Sequence, residues 1–155
     1  MSIMSSLERR FCSSPPWNVI ARRLVLPWAL QRAALDGRVL EVGAGSGAMA
    51  AGLLASHPIA HLTVTDLDPK MVRRAADRLR PFGARADAHV ADGTALPFHD
   101  DVFDAATSFL MLHHVGRWEA ALTELVRVVR PGGRVFVYDL LESRLWRFAH
   151  GISRS

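Results

Sequence analysis

Three short stretches hold the residue types that can do chemistry together. Glu41-Val-Gly-Ala-Gly-Ser-Gly47 sets a carboxylate two residues ahead of glycines at 43, 45 and 47. Glycines let a backbone turn tightly and approach a ligand with no Cβ in the way. On its own the run also reads as a plain strand-to-helix turn. Its spacing is G-x-G-x-G, whereas dinucleotide binders use G-x-G-x-x-G, and Glu41 would repel a pyrophosphate but attract a cationic ligand. Asp66 lies 19 residues after Gly47, where a carboxylate can accept hydrogen bonds from both hydroxyls of a ribose. Asp68, two residues on and just before Pro69, suits a helix cap better. Asp92-Gly93 offers an acceptor for an adenine amino group, and equally an ordinary Asx-turn.

The elements that must position these groups alternate between strand and helix. Apolar runs predict strands over Arg38–Val42, His61–Asp66, Ala86–Ala91, Val102–Phe109 and Arg134–Tyr138. Helices are predicted over Ala48–Ser56, Pro69–Arg80 and Arg117–Val129. In the second, Met71, Ala75 and Leu79 share a face; in the third, the stripe is Trp118, Ala121, Leu122, Leu125 and Val129. Alternation of this kind implies an α/β, Rossmann-like doubly wound parallel sheet, strand order 3-2-1-4-5, with helices on both faces. Its ligand belongs beyond the carboxyl ends of the strands, where Glu41, Asp66 and Asp92 fall.

Composition narrows the classes. The 155 residues are 50% hydrophobic and 22% charged, enough for one packed domain and unlike a disordered or disulfide-stapled chain. The lone Cys12 excludes an internal disulfide and a cysteine metal cage, and no metal site is expected. No apolar run approaches the roughly 20 residues of a membrane span, and the N-terminus does not read as a signal peptide. A cytoplasmic location is the expectation. The net charge of +4 divides into +4 over residues 1–38, −2 over 39–139 and +2 over 140–155. Basic charge at the ends of a slightly acidic body is not the stripe of a nucleic-acid binder.

Taken together, Val39–Gly47, Thr63–Met71, Ala91–Phe98 with Phe103-Asp104, and Val126–Arg134 resemble four successive motifs of class I S-adenosylmethionine-dependent methyltransferases. The likeness is to the small-molecule type that includes the ubiquinone/menaquinone-biosynthesis enzymes, and it covers roughly residues 36 to 140. It implies S-adenosyl-L-methionine as cofactor. Gly43, Ala44, Gly45 and Gly47 would hold its methionyl part, with Glu41 anchoring the amino group through the loop or water. Asp66 would bind the ribose, Leu67 would flank the adenine, and Asp92 and Gly93 would meet the adenine edge. The resemblance places Ser108, Phe109 and the following residues against the methyl group and its acceptor. It also makes His114 a general base, although a packing or backbone-bonding role for that histidine stays open; His113 reads as structural. There is no Asn-Pro-Pro-Tyr and no cysteine nucleophile nearby, which argues against nucleobase methylation.

Residues 1–35 would form a helical lid and acceptor segment, 36–140 the cofactor-binding core, and 141–155 a C-terminal helix and tail. Within the first, Ser14–Trp17 reads as a break and Val19–Leu35 as a helix interrupted near Pro27. Phe11, Trp17 and Trp28 are the candidate acceptor-pocket residues. Arg22-Arg23 allow contact with an anionic surface, or simply an exposed helix face. Sixteen residues follow Asp139, room for one helix over 140–149 but not for the last two strands of the resembled family. Strand 134–138 would then be an open edge at which two copies could pair. Three functions follow: methyl transfer to a small, apolar or lipid-like acceptor; cofactor binding without turnover; and NAD-dependent oxidoreduction. The last lacks its Tyr-x-x-x-Lys pair, since Glu142 stands four residues after Tyr138.

Overall fold

The computed structural model describes residues 14–30, 33 and 35–139. Phe11 and the helix expected over 140–149 lie outside them. The five strands are β1 (Gly37–Val42), β2 (Ile59–Asp66), β3 (Ala86–Val90), β4 (Phe103–Phe109) and β5 (Val129–Tyr138). They form one all-parallel sheet in the order β3-β2-β1-β4-β5, as the alternation predicts. The helices are α1 (Pro15–Ile20), α2 (Leu26–Leu30), α3 (Ala48–Ser56), α4 (Pro69–Leu79) and α5 (Trp118–Val128).

Alternate side chains of the central strands feed two cores, as a sheet covered on both faces requires. Val39, Leu62, Val64, Ala105 and Phe109 pack with Leu26 and Leu30 of α2, Leu53 of α3 and Leu79 of α4. On the opposite face Leu40, Val42 and Ala106 pack with Ala121, Leu125 and Val128 of α5. Met71, Ala75 and Leu79 are the buried stripe of α4, and the Asp68 carboxylate caps that helix by accepting from the Lys70 N–H at 2.8 Å.

Four local expectations need correcting. Trp118 is 47% exposed: it is the first residue of α5, and the buried stripe is Ala121, Leu125 and Val128. Val129 has left the helix and starts β5, pairing with Phe103; the next pair is Ala105 with Arg134. Five steps of β5 therefore oppose two of β4, so Pro131-Gly132-Gly133 bulges out within the strand instead of preceding it. Pro15 and Pro16 begin α1, where their missing N–H groups cost nothing, instead of breaking the chain. The expected helix interruption is a π-turn over Ala21–Val25, immediately ahead of Pro27. Proline cannot donate to the carbonyl four residues back and its ring crowds that carbonyl, and the wider turn absorbs both. Leu26 and Leu30 are buried while Arg23, Leu24 and Trp28 are exposed, so this segment packs on the sheet with its arginine outward. Among the described residues no helix is long and apolar enough to cross a membrane.

Candidate functional site

Every carboxyl end of β1, β2 and β4 opens onto one loop cluster. The chain leaves β1 with Gly43 at φ 75° and Gly45 at φ 55°, left-handed values that favour glycine. The N–H groups of Gly43 and Ala44 both donate to the Thr65 carbonyl, at 2.8 and 3.0 Å. A Cβ on Gly43 would stand 2.1 Å from Met111 Cγ, so the segment after β4 lies directly on the glycine loop. Nothing lies within 4 Å of where a Cβ on Gly45 would stand. Gly47, also left-handed, ends the loop as the N-cap of α3, and Ala44 is buried in the core.

Asp66 ties this loop to the next. Its carboxylate accepts from the Gly45 N–H at 2.9 Å through Oδ2 and from the Asp68 N–H at 2.9 Å through Oδ1. Its backbone carbonyl accepts from Ala91 at 3.0 Å, which tethers the loop after β3 as well. Burial raises the Asp66 carboxyl above its ordinary range, against the lowering effect of the Asp68 and Gly45 N–H groups. Glu41 is 2% exposed, with no hydrogen-bond partner for Oε2. Its carboxyl is pushed up to about 8, first by burial and then by the charge of Asp66. Two carboxyls at the ends of adjacent strands thus compete for ionisation, and a cation entering between them would relieve both.

Leu67 follows half-buried. Asp92 forms the Asx-turn: Oδ1 accepts from the Thr94 N–H at 2.8 Å and from the Thr94 hydroxyl at 2.7 Å, which keeps its carboxyl low. Gly93 is buried beside it. Ser108 and Phe109 end β4. Phe109 is packed in the core, while the Ser108 hydroxyl is buried with no hydrogen-bond partner. Leu110 then takes φ 55°, with its N–H donating to the Tyr138 carbonyl at 2.7 Å. His113 and His114 occupy the 3-10 turn Leu112–His114, their ring centroids 4.0 Å apart. The His113 ring meets Asp139, Nδ1 to Oδ1, at 2.6 Å. Trp17 lies in α1. Trp28 stands edge-on to Tyr138, centroids 5.4 Å apart, at the rim of the same end of the sheet; it is 70% exposed.

Two groups were missed by reasoning from the sequence. Arg127 of α5 donates from Nη1 to the Phe98 carbonyl (2.8 Å) and Asp100 (2.7 Å), and from Nη2 to the Leu96 carbonyl (3.1 Å). It also pairs with Glu124, which in turn accepts from the Leu96 N–H at 2.7 Å. This clamp fixes the long loop between β3 and β4; the Glu-x-x-Arg spacing on one helix was its only trace. Asp104 accepts from the Arg38 N–H and from Arg130 Nε, each at 2.6 Å, pinning β1 and β5 at their amino ends. These groups fit a cofactor that joins an amino acid to a nucleoside. A buried carboxyl with an unpartnered oxygen can meet an ammonium group, a carboxylate at the end of β2 can meet hydroxyls, and the loop leaves space at Gly45.

Residues 40–137 match the methyltransferase domain family. Over 111 residues the chain is 34% identical to a ubiquinone/menaquinone biosynthesis C-methyltransferase of Burkholderia mallei, covering 71% of this chain and 45% of that one. It therefore spans about half the length of the curated relatives it matches. Among solved structures, the cyclase SpnF superposes with a TM-score of 0.70 at 32% identity, over 79% of this chain and 46% of that one. An S-adenosylmethionine-dependent methyltransferase from Aquifex aeolicus superposes with a TM-score of 0.74 over 92% of this chain and 77% of that one. At 19% identity that last likeness speaks for the fold alone.

Proposed function

This chain belongs to the methyltransferase domain family, whose cofactor is S-adenosylmethionine, and on that premise we propose that it transfers a methyl group to a small, apolar or lipid-like acceptor. The observation that carries the reading is Glu41: a carboxyl buried beside Asp66 with an oxygen left unpartnered is costly unless a cationic group arrives to meet it. Glu41 would hold the methionine ammonium, directly or through an ordered water, and Gly43, Ala44, Gly45 and Gly47 would cradle the methionyl chain. Asp66 would take the ribose hydroxyls in addition to its two backbone donors, Leu67 would flank the adenine, and Asp92 and Gly93 its edge. Ser108 and Phe109 would close the floor below the reacting centre.

Bound there, the cofactor supplies a methyl group already activated on a sulfonium. The residues of the chain are left with alignment and the exclusion of water, which are worth several orders of magnitude. On the acceptor side stand His114 and, at the rim, Trp28 over Tyr138; residues 14–30 would be part of the wall, with Trp17 on α1. The curated relative's name, a ubiquinone/menaquinone biosynthesis C-methyltransferase, makes a quinol of that kind the first acceptor to try. The outer edge of β5 over 134–138, unpaired among the described residues, is where a second copy would add, and sedimentation would reveal it.

Cofactor binding without methyl transfer is the second reading, favoured by the likeness to a protein described as a cyclase. Thermal unfolding with S-adenosylmethionine, with S-adenosylhomocysteine and with NAD separates the readings in steps. Ligand at 100 times its dissociation constant adds about 2.7 kcal/mol, roughly 5–11 °C for a domain of this size. A shift with NAD alone would sink the cofactor assignment. A shift with the methionine ligands, but no label passed from the methyl group to a benzoquinol or other apolar phenol, would leave the second reading standing.

A further inference from the structure

We propose that His113, held by Asp139, is the group through which this chain takes the proton from its acceptor; the inference rests on the methyl-transfer reading above. The contact comes from two points at once. Asp139 Oδ1 lies 2.6 Å from His113 Nδ1, and Asp139 Oδ2 accepts the His113 backbone N–H at 3.2 Å. An ionised carboxylate only accepts, so the neutral imidazole must carry its proton on Nδ1, and Nε2 is the basic nitrogen. The two side chains are only 13% and 18% exposed, where a charge-assisted hydrogen bond is stronger than in water. A fixed tautomer and a carboxylate ready to balance an imidazolium are what a base needs in order to act repeatedly at one atom.

The pair also lies just beyond the carboxyl ends of β4 and β5. Asp139 directly follows β5, and His113 lies two residues after Met111, whose side chain covers Gly43. Leu110 binds the Tyr138 carbonyl at 2.7 Å, so the ends of β4 and β5 are locked together beneath the pair. The sequence singles out His114, yet it is the neighbouring ring whose nitrogen meets Asp139. Among the described residues, Asp139, directly after β5, and His114 of the same turn are titratable groups that meet His113, the two rings 4.0 Å apart. Arg117 and Glu119, at the start of the helix packed on that turn, are exposed. The transfer balances simply. The acceptor's bond to hydrogen breaks with its electron pair left on the acceptor, and the proton bonds to Nε2 and later passes to solvent. The pair then bonds the methyl group, whose bond to sulfur breaks with its electrons kept on sulfur. Asp139 is a positioning residue throughout.

Two measurements on the full chain test this. Long-range proton–nitrogen spectra of the 15N-labelled chain with S-adenosylhomocysteine should show neutral His113 protonated on Nδ1. In the isosteric Asp139→Asn, whose amide can donate to Nδ1, the proton should move toward Nε2. A wild-type His113 carrying its proton on Nε2, or a tautomer unchanged in Asp139→Asn, overturns the arrangement without any appeal to turnover. The second measurement is the pH profile of kcat for methylation of a prenylated benzoquinol. The wild type should show a rate rising with pH to a plateau. His113→Gln should lose that rising limb and about 100- to 10,000-fold in kcat, with S-adenosylhomocysteine affinity within about twofold. Asp139→Asn, which puts the proton on Nε2 and so removes the basic lone pair there, should lose kcat in the same direction as His113→Gln; His114→Gln should keep the rising limb. No methylation by the cofactor-bound wild type would sink the reading on which the inference rests, and the inference with it. Methylation whose limb survives His113→Gln would sink the inference alone.

Discussion

Replacing Gly45 by alanine isolates the cofactor loop from the fold that carries it. The residue has φ 55° and nothing within 4 Å of its would-be Cβ, so the unliganded chain meets only the backbone cost. A left-handed alanine costs about 1–2 kcal/mol, partly offset by an unfolded chain with fewer conformations; about 1 kcal/mol remains. At this length that lowers the unfolding midpoint by about 2–4 °C. With ligand bound, the methyl would stand where the methionyl chain lies. Overpacking of a close-fitted contact costs about 1–3 kcal/mol, up to about 100-fold in affinity. Ligand held at 100 times the wild-type dissociation constant would then stabilise the variant by only about 0.4 kcal/mol, a shift of about 1 °C. Gly132→Ala is the control: φ is 79°, nothing lies within 4 Å, and the position is on the bulge of β5, away from the carboxyl ends. It should lose a similar few degrees and keep the full ligand shift. Scanning fluorimetry of the three proteins with and without S-adenosylhomocysteine decides the matter. If Gly45→Ala keeps the wild-type shift to within a degree, the loop is not the methionyl cradle.

Further expectations concern charge, clamping and the rim. Glu41 binds its proton more tightly folded, near pH 8, than unfolded, near 4.5, so wild-type stability should fall as pH rises through that window. Glu41→Gln should flatten the fall, and wild-type denaturant curves with the same midpoint at pH 5, 7 and 9 would contradict the assignment. If an ammonium group meets Glu41, binding at pH 7 should release protons, seen as a buffer-dependent heat in titration calorimetry and absent in Glu41→Gln. Arg127→Lys keeps the charge but not the fork. At 29% exposure the loss should be about 1–2 kcal/mol, with faster amide exchange at Leu96; unchanged exchange would show the loop is held by other means. Trp28→Ala should cost under about 1 kcal/mol in stability and raise the acceptor KM while leaving kcat in place. A fall in kcat alone would remove Trp28 from the acceptor wall.

Where one residue type decides, the fold was legible in the sequence. The apolar runs gave five strands, and Asp68 ahead of Pro69 announced its helix cap. The G-x-G-x-G spacing announced a tight turn open to a ligand. What escaped depends on pairs distant in sequence. The bulge at Pro131-Gly132-Gly133 follows from the register of β5 on β4, which no local pattern carries. The span from Arg127 to Phe98 and Asp100, and the left-handed Leu110, are imposed by the tertiary frame. Asp139 was given no role and His113 was read as structural because 26 residues separate them. Asp92 had two readings, and its Oδ1 bonds to Thr94 form the turn, which leaves the loop shaped whether or not adenine is present.

The Thr65 carbonyl, which receives both Gly43 and Ala44, sets what the loop can gain from a ligand. With Gly45 fastened to Asp66 as well, three consecutive amides of the loop are held by β2 before any cofactor arrives. Little backbone entropy is then lost on binding, so association should be fast and set by encounter, with no slow ordering step. The same wiring means that exchange of these three amides is slow in the empty protein, and that cofactor changes them less than it changes the exposed rim around Trp28.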